Sequence, residues 1–196
     1  MTLRVSEISR ETAETTVDVT VHLDGEGVAK VDTSVGFFDH MLAILAKHSL
    51  MDLTIKAKGD VKVDDHHTVE DVGICLGKAI NQALGDKHGI QRFGHSSAPM
   101  DEALADIAVD ISGRGMLVQN VKFPTDRIGT FDVQLTEEFL RAFAQNAGIT
   151  LHVNVPYGNN AHHITEAVFK GLARALYHAM LISSRQVGVP STKGVI

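Results

Sequence analysis

Tryptophan is absent from the 196-residue chain, and cysteine occurs once, at Cys75. A lone thiol excludes an internal disulfide and a cysteine-based metal site, and its place in a helical apolar pattern makes it a small core residue. No uninterrupted apolar run approaches the roughly 20 residues that cross a bilayer, and Met1–Arg10 has no apolar signal core. A cytoplasmic protein without membrane partners is expected. Long basic runs are missing too, and the net charge is −6, which argues against nucleic-acid partners and for small-molecule work. Hydrophobic residues at 44% and charged residues at 21% fit a globular chain able to bury a sizeable core.

What the chain does have is histidine, eleven in all, and part of that set is repeated. Asp64–Asp71 reads Asp-Asp-His-His-Thr-Val-Glu-Asp, and Ala161–Ala167 reads Ala-His-His-Ile-Thr-Glu-Ala, so His66, His67 and Glu70 recur as His162, His163 and Glu166, displaced by 162 − 66 = 96 residues. At a helix start, spacings of three and four residues bring these side chains onto one face. One such copy reads as a solvated helix start. Two copies at matched places point to mixed imidazole and carboxylate ligation of divalent transition metals.

The elements around the motifs repeat as well. Val17, Val19 and Val21 alternate with polar residues, as in a half-buried strand over 15–23, and Gly25–Gly27 turns it into a short strand over 28–33. A helix follows Gly36 to about His48, a third strand covers 53–57, and the first motif opens a helix that closes near Gly85. Strands over 103–111 and 116–122, a helix carrying Phe139 and Phe143, a strand over 149–155 and the second motif helix repeat that order. The spacing predicts an α+β duplication of two β-β-α-β-α halves, residues 1–90 and 91–196. Each half is a sheet with helices on one face, and the helical layers pack together. Gly85–Pro99 reads as irregular, and the tail from Pro190 as a loop.

Aligning the first helices sets His40 opposite Glu138 and His48 opposite Asn146, an offset of 98. One half then offers His40, His66, His67 and Glu70, and the other Glu138, His162, His163 and Glu166: enough donors for two metals with open positions. Manganese, iron, cobalt and zinc all suit such a shell. A cationic set, Arg92, Arg114, Lys170 and Lys193 with Ser191 and Thr192, is the equipment for a phosphate.

The motifs together resemble the imidazoleglycerol-phosphate dehydratase family. The resemblance is carried by Arg10–Thr15, Gly36–Leu42, Asp64–Asp71, Pro99–Glu102, Asp110–Arg114, His162–Lys170 and Pro190–Gly194. It implies a fold like the second domain of ribosomal protein S5 and two Mn2+ per active site. It also implies imidazole glycerol phosphate as substrate, and a 24-subunit homo-oligomer whose neighbouring chains share each site. His40, His66, His67, Glu70, His162, His163 and Glu166 then match metal ligands. Glu138 stands where some members have a ligating histidine. Arg92, Arg114, Lys170, Ser191 and Lys193 match a phosphate pocket that Thr192 adjoins, His40 and His48 are expected to face the substrate, and Glu14 and Glu166 are expected to move protons. The implied dehydration passes through an imidazolate and a diazafulvene-like intermediate to imidazole acetol phosphate. Two rival readings of the same residues are a dimetal hydrolase of a small phosphorylated compound and an assembly merely stapled by metal.

Overall fold

The computed structural model describes residues 3–196, so the first two residues of the Met1–Arg10 stretch lie outside the described region. Its first half runs β1 (Val5–Glu11), β2 (Thr15–His22), β3 (Ala29–Asp32), α1 (Gly36–Ser49), β4 (Asp52–Gly59) and α2 (His66–Leu84). The second half runs β5 (Phe93–Met100), β6 (Ala103–Asp110), β7 (Met116–Asn120), a short hairpin of β8 (Arg127–Ile128) and β9 (Phe131–Asp132), α3 (Gln134–Ala147), β10 (Thr150–Tyr157) and α4 (Ala161–Met180). Two four-stranded sheets result, ordered β1-β2-β4-β3 and β5-β6-β10-β7. Among the described residues, no helix is long and apolar enough to cross a membrane.

The duplicated α+β plan is as expected, and each half carries one strand more. β1 adds an edge to the first sheet. β5 occupies part of Gly85–Pro99, which reads as irregular in the sequence. The short strands also pair differently from simple hairpins: β3 lies parallel to β4, with Ala29 opposite Leu53, and β7 lies parallel to β10, with Thr150 opposite Met116. A parallel neighbour needs a crossover, which α1 and α3 provide.

Each strand's alternation becomes one buried and one open face. Val17, Val19 and Val21 are buried, as are Ala105, Ile107 and Val109 on β6. Helices cover the buried faces: α2 lies on β1 and β2, and α4 on β5 and β6. The halves then meet helix to helix, α2 against α3 and α1 against α4. Phe139 and Phe143 on α3 are fully buried in this seam, each contributing up to about 3 kcal/mol from burial. Opposite them, a Cβ on Gly73 would stand 3.0 Å from the Phe139 carbonyl oxygen, and one on Gly77 would stand 2.6 Å from that of Phe143. At the place matching Gly73, 169 − 73 = 96 residues on, α4 carries Phe169, whose ring stacks on Phe139 at 5.2 Å.

Candidate metal centre

The second motif forms the first turn of α4, where the Asn160 side chain caps the helix by accepting from the backbone N–H of His162 and His163. The helical spacing read from the sequence then acts as expected: His162 Nε2 lies 3.2 Å from Glu166 Oε2. Packing of α1 on α4 adds His40, whose Nε2 is 3.7 Å from the same oxygen. The Phe37 ring holds His162 edge to face at 5.1 Å. Among the described residues, this is the one group of three donors whose ligand atoms all lie within 4.8 Å of one another.

Glu166 keeps 9% of its surface exposed. Burial pushes its carboxyl up, but Lys170, at 2.7 Å from Oε1, and His162 outweigh burial and hold it below the usual carboxylate range. The carboxylate therefore stays ionised, one oxygen on the lysine and the other facing two imidazoles. Two imidazole nitrogens and one anionic oxygen converging from two helices fit a divalent transition metal.

His163 points elsewhere. Its Nδ1 meets Glu102 Oε2 at 2.6 Å, and Asp101 Oδ2 stands 3.6 Å from Nε2. The hydrogen bond to His163 pulls the Glu102 carboxyl down to about 2, and the same bond raises the imidazole.

The first motif gathers a different neighbourhood. His67 Nδ1 sits 3.0 Å from Asp60 and 3.8 Å from Glu14, and the Asp60 hydrogen bond raises its pKa. His66 lines a cavity of about 630 Å³ with Asp64, Asp65, Arg127 and Gln134. Glu70 and Glu138 are half-buried and make no ion pair among the described residues. No hydrogen bond or ion pair among the described residues joins the two motifs.

The cationic residues divide into two groups. Arg92, at a left-handed φ of 69°, places Nε 2.7 Å from Asp110 Oδ1 and donates from Nη1 to the Pro190 carbonyl at 2.8 Å. Arg114 is 3.9 Å from Asp110, and the chain end packs on Gly113. This brings Ser191, Thr192 and Lys193 to the same end of the second sheet as both arginines. Lys170 instead belongs with Glu166. His48 lies near Lys170 and Arg174, its pKa lowered first by burial and then by their charge. Sequence reasoning passed over Asp60, Glu102 and Asp110 as site residues, although the last two lie inside stretches that carry the family resemblance.

Nitrogen and oxygen donors gathered at helix starts, apart from a cationic end that holds the chain terminus, are the equipment of a metal-dependent enzyme for a small anionic substrate. A family model for imidazoleglycerol-phosphate dehydratase matches residues 33–176, and the chain belongs to that family. It is a carbon–oxygen hydro-lyase of histidine biosynthesis. The imidazoleglycerol-phosphate dehydratase of Methylorubrum populi is 58% identical over 193 residues, covering 98% of this chain and 99% of that one. That of Desulforamulus reducens is 55% identical over 193 residues, covering 98% of each. The crystal structure of the Staphylococcus aureus enzyme superposes with a TM-score of 0.84 at 38% identity, covering 91% of this chain and 99% of that chain. The Pyrococcus furiosus enzyme gives 0.83 at 37%, covering 96% and 100%.

Proposed function

We propose that this chain dehydrates imidazole glycerol phosphate to imidazole acetol phosphate through an imidazolate form of the substrate ring and a diazafulvene-like intermediate, with two Mn2+ per active site. The observation that carries the reading is the convergence of His40, His162 and Glu166 within 4.8 Å while the matching donors His66, His67 and Glu70 remain unassembled with them. Each motif is then one part of a site completed by a neighbouring chain in a 24-subunit cytoplasmic assembly. Glu138 and His163 supply the remaining donors.

When bound, the metals supply Lewis acidity that lowers the pKa of a coordinated ring nitrogen. The chain's own groups do the rest. Glu14, 57% exposed at the β1–β2 turn, is free to reach a substrate and takes the carbon-bound proton as general base. Glu166 and Lys170 hold opposite charges 2.7 Å apart, so a proton reaching the carboxylate is not retained but goes to the departing hydroxyl, which leaves as water. Arg92, Arg114, Ser191, Thr192 and Lys193 hold the phosphate, and fixing that tail orients the ring. His48 packs beside the substrate with Lys170.

The test is turnover of imidazole glycerol phosphate by chelator-stripped protein, before and after adding Mn2+, with particle size followed by light scattering. Activity and a large particle are expected to appear together. Assembly without activity would replace this reading with a structural metal, and phosphate release from simple esters would replace it with a hydrolase.

A further inference from the structure

In each half, the second histidine of the motif is held at the same ring nitrogen by a carboxylate. His163 Nδ1 lies 2.6 Å from Glu102 Oε2, and His67 Nδ1 lies 3.2 and 3.0 Å from the two Asp60 oxygens. The two carboxylates come from unrelated places. Glu102 sits in the β5–β6 turn and Asp60 just beyond β4. By place in the fold, Asp60 matches Gly158, which is no acid, whereas Glu102, one residue before β6, matches Glu14, one residue before β2, at the 103 − 15 = 88 offset of those strands. In the first half that counterpart stands farther off, Glu14 at 3.8 Å from His67 Nδ1, and Asp60 makes the hydrogen bond in its stead.

An ionised carboxylate only accepts, so each Nδ1 carries a proton. In the neutral ring this leaves Nε2 with its lone pair. We infer that Asp60 and Glu102 are positioning residues that fix His67 and His163 in the Nδ1–H tautomer and so present Nε2 to a divalent transition metal. Carboxylates behind ligating histidines set tautomer, ring orientation and basicity in this way. The inference rests on the reading of His67 and His163 as ligands.

The two residues differ in how firmly they are tied. Glu102 Oε1 also accepts from the backbone N–H of Asn159 and Asn160 at 3.2 and 2.9 Å, beside the α4 cap. These bonds fix which oxygen faces His163. An amide at this place must keep its oxygen on the two N–H groups and turn its NH2 toward Nδ1, which moves the ring proton to Nε2. Asp60 is not tied so; among the described residues its side chain makes no hydrogen bond except to His67, and an amide there can still offer its oxygen.

The experiment is calorimetric titration of MnCl2 into chelator-stripped full-length protein, with thermal unfolding run in parallel. Glu102→Gln and Asp60→Ala are each expected to weaken Mn2+ binding by about 10- to 100-fold, while Asp60→Asn stays near the parent. His67→Ala and His163→Ala are the controls. If they bind as the parent does, the ligand reading itself fails. If they lose metal while Glu102→Gln and Asp60→Ala bind as tightly as the parent, the ligand reading stands and this inference is overturned. Should Glu102→Gln disturb the α4 cap and unfold, the Asp60→Ala and Asp60→Asn pair decides: equal loss in both overturns the tautomer argument.

Discussion

Asp71, buried in the second turn of α2, accepts from Arg10 Nε at 2.8 Å. Its other oxygen takes the Thr15 hydroxyl, so one carboxylate holds both strands of the β1–β2 hairpin against the helix that carries Glu70. Glu14 rides at that hairpin's tip. Asp71→Ala leaves the buried Thr15 hydroxyl without its acceptor, and stability is expected to fall by about 2 kcal/mol, read from the shift in denaturant midpoint.

Glu14 itself bears little of the fold. Its neighbours at the tip are held by the Thr12 hydroxyl, which accepts from the N–H of Glu14 and Thr15, and its carboxylate is largely open. Glu14→Gln is expected to leave metal content, particle size and melting temperature at parent values while turnover falls by roughly 10²-fold or more. Unchanged turnover would remove Glu14 from the mechanism.

At Gly94 on β5, a side chain would run into the Ala175 carbonyl of α4, with the Ala179 nitrogen 2.9 Å away. Helix backbone does not yield as a side chain does. Gly94→Ala is expected to destabilise the protein by roughly 2 kcal/mol or more. Since α4 also carries His162 and Glu166, the loss in melting temperature should come with weaker metal retention on gel filtration.

Asp52 accepts from the backbone N–H of Val28 and Glu26, and these bonds hold its carboxyl below the ordinary 3.8. A depressed acid stabilises the fold above its ordinary value and loses that contribution as pH falls through the lower folded value. Asp52→Asn is expected to be less stable than the parent at neutral pH, with the gap narrowing as pH drops below about 4. A gap that widens toward acid would contradict the assignment.

The strands and helices whose buried sides are aliphatic were legible in the sequence, because alternation and helical spacing report burial directly. β5 was not, for the reason seen at Gly94. It lies so close under α4 that the fully buried residues of its inward face are Gly94 and Ala98, and small residues leave no hydrophobic signal. β1 buries Ser6 at its equivalent edge. The pairing of His162 with Glu166 followed from spacing alone, whereas His40, 126 residues before Glu166 in number (166 − 40 = 126), joins only through helix packing. Lys170 was grouped with the arginines by charge. It also stands 2.7 Å from Glu166, one helical turn away, a contact that i,i+4 spacing alone makes legible.

The ring of Phe139 has on one side a residue with no side chain, Gly73, and on the other a stacked phenyl, Phe169. Those two residues descend from one position in the repeated unit. Between them the bulk at that place is shared unequally, all to one copy and nothing to the other. The repeats are thus no longer duplicates in any practical sense but a mould and its cast. A phenyl at Gly73 would press its Cβ to 3.0 Å from the Phe139 carbonyl oxygen, and a glycine at Phe169 would leave a hollow beside the ring it now stacks on.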